Sequence, residues 1–270
     1  MVEPEEHDDL GDEGFRKRVV EVLVQALDGT GRFPSGPPET GERSGSYGRF
    51  ENIAATRVFL RPLANPLSLG FLGLFFATML FTSLELGWVP ASDSHTLAEA
   101  VLVFTVPVQV IACVYGFLTR DTVAATGMGV LFGTWGGLAL GTLLSRPGTH
   151  SSAVAFALVM GAVALCMPGV AALQSKALAG AVTLVAALRW AVTAAFEFSG
   201  STDWKTAAGA FGLLLGMLAL YSSLAFELED QHRSTVLPTF RHSLGAVAMQ
   251  NDLSDQVSGV ANEAGVRKQL

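Results

Sequence analysis

"LRPLANPLSLGFLGLFFATML", residues 60–80, sets an arginine, two prolines and an asparagine directly against an apolar run broken only by small or weakly polar residues. Such a run can cross the roughly 30 Å hydrocarbon layer at about 1.5 Å per residue. Proline near a helix start gives up no internal hydrogen bond, and an asparagine beside it can satisfy free backbone amides that lipid cannot. The stretch therefore reads as the mouth of a membrane helix, with Asn65 as its cap and Arg57 and Arg61 holding the chain at the cytoplasmic surface.

The rest of the chain has the same character. Half of its 270 residues are hydrophobic and mean hydropathy is +0.43, which sets it apart from ordinary soluble domains of this length. Of 41 charged residues only 11 fall between Leu67 and Phe226, so the net charge of −7 belongs mostly to the two tails and gives no argument for nucleic-acid binding. Apolar spans recur six times, at about 67–88, 96–118, 122–145, 152–173, 177–198 and 204–226, joined by short loops such as "TRD" (119–121) and "LQSK" (173–176). The expected fold is an all-α membrane protein, a six-helix transmembrane bundle spanning 65–228 with polar tails at 1–64 and 229–270. Arginines and lysines near the helix ends place both termini in the cytoplasm, since Arg120, Lys176, Arg233 and Arg241 fall on one side and only Arg146 and Lys205 on the other.

In the N-terminal tail, "FRKRVVEVLVQALD" (15–28) has Val19, Val20, Leu23 and Leu27 at helical spacing beside three basic residues, suiting an anionic lipid surface or a docking helix. A Gly, Pro and Ser-rich linker follows, and the chain beyond Pro238 also reads as poorly ordered, with a short helix near 252–263. Cys113 and Cys166 sit inside apolar runs and read as buried, inert thiols; no metal or cofactor site is expected.

Within the spans, Gly129, Gly133, Gly137 and Gly141 recur every four residues, echoed by Ala208, Gly212 and Gly216. On helices this makes a groove for close backbone packing, either inside one bundle or between identical subunits. Gln109 beside Pro107 needs a partner or water in mid-membrane, and the proline supplies a kink. Arg189, about 20 Å along its helix from Lys176, costs at least ~2.5 kcal/mol to insert. It either snorkels outward, pairs with Glu99 or Glu197, or lines an outer vestibule and eases an anion into the membrane; Glu85 and Glu99 read as interfacial carboxylates. No Ser, His and Asp set or Asp pair converges in the spans, so an enzyme is not expected.

Several short motifs in order resemble those of the acetate uptake transporter family, also called the succinate/acetate permease family. "NPLSLGF" (65–71) is similar to the Asn-Pro-x-Pro-Leu-Gly-Leu start of its first helix, with Ser68 where the second proline belongs. "VQVIACVYGFLTRDT" resembles the second helix and its loop, "AGAFGL" (208–213) the sixth helix, and "STVLP" (234–238) the closing Thr-Val-Leu-Pro. The resemblance implies a hexameric ring in the plasma membrane, each protomer carrying its own path for acetate or, in some members, succinate. It also implies a hydrophobic constriction made by a Phe, a Tyr and a Leu from the first, third and fifth helices. Local matching puts these at Leu74, Leu131 and Ala186, with Phe132 as the aromatic should the register slip. The implied path then runs past Asn65, Ser68, Gly70, Leu74, Thr78, Gln109, Leu131, Ala186 and Arg189. A small-solute channel, for ammonium for example, and a membrane sensor signalling through its tails are the alternative readings.

Overall fold

The computed structural model describes residues 63–232, 234–243 and 245–246. The expected helix at 15–28, the linker after it, Arg57, Arg61, Arg233 and the segment 252–263 lie outside those residues. Among the described residues six helices are long and apolar enough to cross a membrane: α1 (Pro66–Glu85), α2 (Ala91–Leu118), α3 (Thr122–Leu144), α4 (Ser152–Leu173), α5 (Ala177–Ser199) and α6 (Thr202–His232). The chain is an all-α, six-span membrane protein.

Local chemistry sets the ends. Asn65 has an extended backbone and its side chain accepts from the Leu67 amide at 3.0 Å, with Pro66 as the first helical residue. Asp121 caps α3 by accepting from Ala124 at 3.1 Å, and Ser151 caps α4 by accepting from Val154 at 3.4 Å. Gly200 ends α5 with φ 64°, a left-handed turn that costs a glycine nothing.

Two helices differ from their expected shape. α2 begins five residues earlier than the apolar run suggested, with a 3-10 turn at Ala91–Asp93, and it contains a π-helical turn, Val101–Thr105, just before Pro107. Proline has no N–H to give the preceding turn, and the wider π turn absorbs the mismatch. α6 continues to His232 instead of stopping at 226, because Glu229 finds partners that make a charged last turn tolerable.

Consecutive helices pack side by side, and α6 closes on α1, so the six form a ring around a shared core. Side chains of α1, α3 and α5 fill its centre, among them Phe71, Leu74, Leu131, Trp135, Ala186 and Trp190. Gly116 sits where α2 meets α3 so closely that an added Cβ would stand 2.6 Å from the Ala125 nitrogen. On α6, Gly212 and Gly216 press against α1, at Thr82 and Met79. Gly129 and Gly141 of α3 abut Cys113 and Val154, whereas Gly133 and Gly137 meet nothing within 4 Å and are exposed on the outer side of the helix. The cysteines depart from expectation: Cys113 is only partly buried and Cys166 is exposed among other apolar side chains of the outer surface.

The near end of the bundle, where α1 begins, is tied by the chain after α6. This segment was expected to lack order from Pro238 onward, yet Thr239–His242 cross to the start of α5. The Ala177 and Leu178 amides donate to the carbonyls of Phe240 and Thr239 at 3.2 and 3.4 Å, and His242 donates to the Ser175 carbonyl at 2.9 Å. Lys176, at the cap position of α5, offers no side-chain acceptor, so the tail satisfies amides that would otherwise be orphaned in the first turn. Lys176 instead forms an ion pair with Asp121.

Candidate functional site

The apolar centre is built at one height of the odd-numbered helices. Leu74, Leu131 and Ala186 are all buried, and the 3.6-residue repeat brings the next residues of the same faces above them. On α1 these are Thr78, Phe81 and Glu85; on α3, Trp135 and Leu138; on α5, Arg189, Trp190 and Thr193. Phe132 lies one residue off that face and is 39% exposed, so it takes no part in the centre. The aromatic side chain that α3 supplies is Trp135.

Three rings converge there. Trp135 meets Trp190 edge-on with centroids 4.6 Å apart, and Phe81 lies 5.6 Å from Trp135. The Arg189 guanidinium carbon stands 5.5 Å from the Trp135 ring centre and 5.6 Å from that of Trp190. A cation in such a position is held by the negative ring faces, most strongly where water is excluded.

Arg189 is 1% exposed and Glu85 8%, so of the alternatives for the arginine outward snorkelling does not occur. Its partner is neither Glu99, which is exposed on α2, nor Glu197. Arg189 Nη2 donates to Glu85 Oε2 at 3.0 Å. Glu85, expected at the interface because it ends an apolar run, is instead drawn inward by a cation across the bundle. Glu197 is occupied elsewhere: it accepts from the Ser151 amide at 3.0 Å and faces His150 Nδ1 at 3.9 Å.

The pair leaves much hydrogen-bonding capacity unused. Arg189 Nε and Nη1 have no acceptor, and neither do the indole N–H groups of Trp135 and Trp190; the hydroxyls of Thr78, Thr82 and Thr193 and both amide atoms of Gln109 are likewise unpartnered. Ser68 Oγ is a further buried orphan nearer the start of α1, although the Ser68 carbonyl accepts from Ser223 at 2.8 Å. Buried polar atoms are nearly always paired, so a cluster of this size calls for a reason. Gln109 lies against Gly73 of α1, an added Cβ of which would stand 3.5 Å from Gln109 Cγ, and Gly70 closes on Met128.

Beyond Glu85 the far end opens into a vestibule of about 330 Å³ whose lining includes Glu85, Arg146, His150, Thr193, Glu197 and Lys205. Glu85 and Thr193 belong both to this vestibule and to the surroundings of Arg189. Among the described residues no three His, Cys, Asp or Glu side chains stand together so as to hold a metal ion.

The structure buries Leu74, Thr78, Leu131, Ala186 and Arg189 in the bundle, whereas sequence reading passed over Phe81, Trp135 and Trp190 and took Glu85 for an interfacial carboxylate. The signal was present in the spacing: Phe81 is seven residues after Leu74, and Trp135 and Trp190 are each four after Leu131 and Ala186. Asn65 is a helix cap with a half-buried side chain, and its own amide reaches Asp230 at 3.5 Å.

Comparison with known proteins agrees with this architecture. The family model described as the GPR1/FUN34/yaaH family matches residues 47–242, ending where the tail has crossed to α5. Among solved structures, that of the bacterial acetate channel SatP superposes with a TM-score of 0.60 over 66% of this chain and 99% of its own, at 20% identity. Likeness at that identity speaks for the fold. A search of curated proteins gave no significant match.

Proposed function

The chain belongs to the GPR1/FUN34/yaaH family, and on that footing we propose that it is a membrane permease or channel for small carboxylates, acetate foremost. The solved structure it resembles is that of an acetate channel. The observation that carries the reading is the line of unpartnered buried polar atoms through an otherwise apolar ring. From Ser68 to Thr82 on α1 it extends about 21 Å of helix rise. A bundle built only for stability gains nothing from leaving these atoms unpaired, each at a cost of roughly 1–3 kcal/mol.

In this reading the near end is cytoplasmic, because Arg120, Lys176 and Arg241 lie there and Arg146 and Lys205 at the far end. Asn65, Ser68 and Gly70 form the inner approach. Leu74, Leu131 and Ala186 form the neck, where a bare carboxylate is prohibitively costly unless it is protonated or paired. Thr78, Gln109 and Arg189 supply that pairing on either side. The open, exposed Gly133 and Gly137 are surfaces for a neighbouring subunit of a homo-hexamer, where their missing side chains let helices approach.

Purified protein in liposomes is expected to take up labelled acetate above empty vesicles, faster at acidic pH, and to be inhibited by unlabelled acetate more than by ammonium. Uptake no faster than that of empty vesicles removes the reading. Uptake of ammonium alone replaces it with a different channel class.

A further inference from the structure

We infer that the free side of the Arg189 guanidinium, with the indole N–H groups of Trp135 and Trp190 and the hydroxyls of Thr82 and Thr193, is a binding site for one small monocarboxylate, and that Glu85 is the built-in competitor for it. This deepens the permease reading and rests on it for the identity of the ligand.

Every group named is at least nine-tenths buried, and each carries a polar atom with no partner: Nε and Nη1 of Arg189, both indole nitrogens and both hydroxyls. All but the hydroxyls are donors only, and hydroxyls donate readily, so the ligand they suit is an acceptor bearing negative charge. Thr82 and Arg189 Nε meet at Gly212 of α6, where an added Cβ would collide with Thr82 Oγ1 and stand 3.0 Å from Arg189 Nε; a side chain there would fill the niche.

Glu85 shows how a carboxylate sits on this cation. It bonds through one oxygen to Nη2, and the end of its side chain is a carboxylate on a methylene, closely the shape of acetate. It also lines the far vestibule, so an anion arriving there, drawn by Arg146 and Lys205, meets Glu85 first and the guanidinium directly behind it. Exchange of one carboxylate for the other lets the anion enter the buried region without the cation ever being unpaired, which is the costly state for a buried charge.

The surroundings restrict the ligand to one charge. The donors named serve one carboxylate, and the ring faces of Phe81, Trp135 and Trp190 beside the guanidinium suit a methyl or ethyl group but offer a second carboxylate no cation to pair with. Succinate therefore binds much more weakly than acetate or propionate.

Trp135 and Trp190 report on the site directly. In full-length protein carrying Trp88→Phe and Trp204→Phe they are the only tryptophans left of four. Titration with sodium acetate, against sodium chloride at equal ionic strength, is expected to change their emission saturably, with propionate acting similarly and succinate not. Glu85→Gln weakens the competitor and moves the midpoint to lower acetate. The double variant Glu85→Leu with Arg189→Leu removes both buried charges together, which spares the fold; its midpoint rises about 10- to 100-fold, the effect of losing a hydrogen bond to a charged group. An unchanged midpoint in the double variant, or no acetate response in the parent, overturns the site even if liposomes take up acetate. An acetate response that follows these variants in protein that conducts none upholds the site and removes the permease reading instead.

Discussion

At the near end of the bundle, Glu229 accepts two bonds from Arg241, at 2.8 and 2.6 Å, and one each from Thr235 and Thr239 at 3.2 and 3.3 Å. Arg241 lies over the Phe226 ring at 5.8 Å. Towards the far end, Arg189 and Glu85 repeat the same residue types beside aromatic rings, yet share a single bond and leave two guanidinium nitrogens without acceptors. The first pair is bidentate, and the carboxylate is saturated by neighbours from the tail, so it clasps the tail to α6 and thereby delivers the Thr239 and Phe240 carbonyls to α5. The second is just as buried but unsaturated. The difference teaches that burial alone does not separate the two pairs; the hydrogen-bonding capacity left over does, and it is on that capacity that the proposed site rests.

That contrast can be broken by mutation, and the largest effect is expected from the unsaturated pair. Arg189→Leu alone strands Glu85 in the core and is expected to cost about 3–5 kcal/mol, read as a large drop in thermal stability in detergent, with most of the loss recovered by adding Glu85→Leu. Equal stability of the single and double variants would mean that the two side chains are not coupled.

Glu229→Ala is expected to cost about 2–3 kcal/mol, since the lost bonds include charge-assisted ones. Hydrogen exchange at the Ala177 and Leu178 amides should rise as the tail loosens, while saturating acetate uptake is unchanged. Lost uptake with unaltered exchange would move the near-end clasp from structure into transport.

Gly212→Ala sharpens the comparison from the other side. The added methyl presses on Thr82 and Arg189 and is expected to cost about 1–3 kcal/mol as overpacking, together with a higher half-saturation for acetate. Unaltered half-saturation would show that the space beside Arg189 plays no part in binding.

The smallest effect belongs to Asn65→Ala, about 1 kcal/mol for a lost helix cap. Asn65→Ser, which can cap, should restore both stability and uptake. Restored stability with uptake still impaired would assign the amide a direct place on the path.

The two pairs also show what the chain discloses before it is folded. The spans were legible because lipid demands about 20 apolar residues in a row, and α4 runs over the expected 152–173. The cap at Asn65 was legible because its chemistry is local. Leu74, Leu131 and Ala186, which the structure buries, were placed by resemblance, and helical spacing from them carried the signal for Trp135 and Trp190 that the sequence reading passed over. Glu85 was not legible as Arg189's partner: 104 residues separate them, and a carboxylate ending an apolar run looks like any interfacial residue until α1 and α5 are set side by side. The tail misled for a related reason. Its composition suggests disorder, and what fixes it, the meeting of Arg241 with Glu229 twelve residues earlier and the backbone bonds to the start of α5, exists only in the folded chain.

The most direct test is the initial rate of labelled-acetate uptake into liposomes holding either the wild type or the folded Glu85→Leu, Arg189→Leu variant, measured from low to saturating acetate. Saturable uptake by the wild type, with half-saturation raised about tenfold or more in the variant, is the predicted result. Identical curves for the two proteins, or wild-type uptake no faster than that of empty vesicles, would contradict the account.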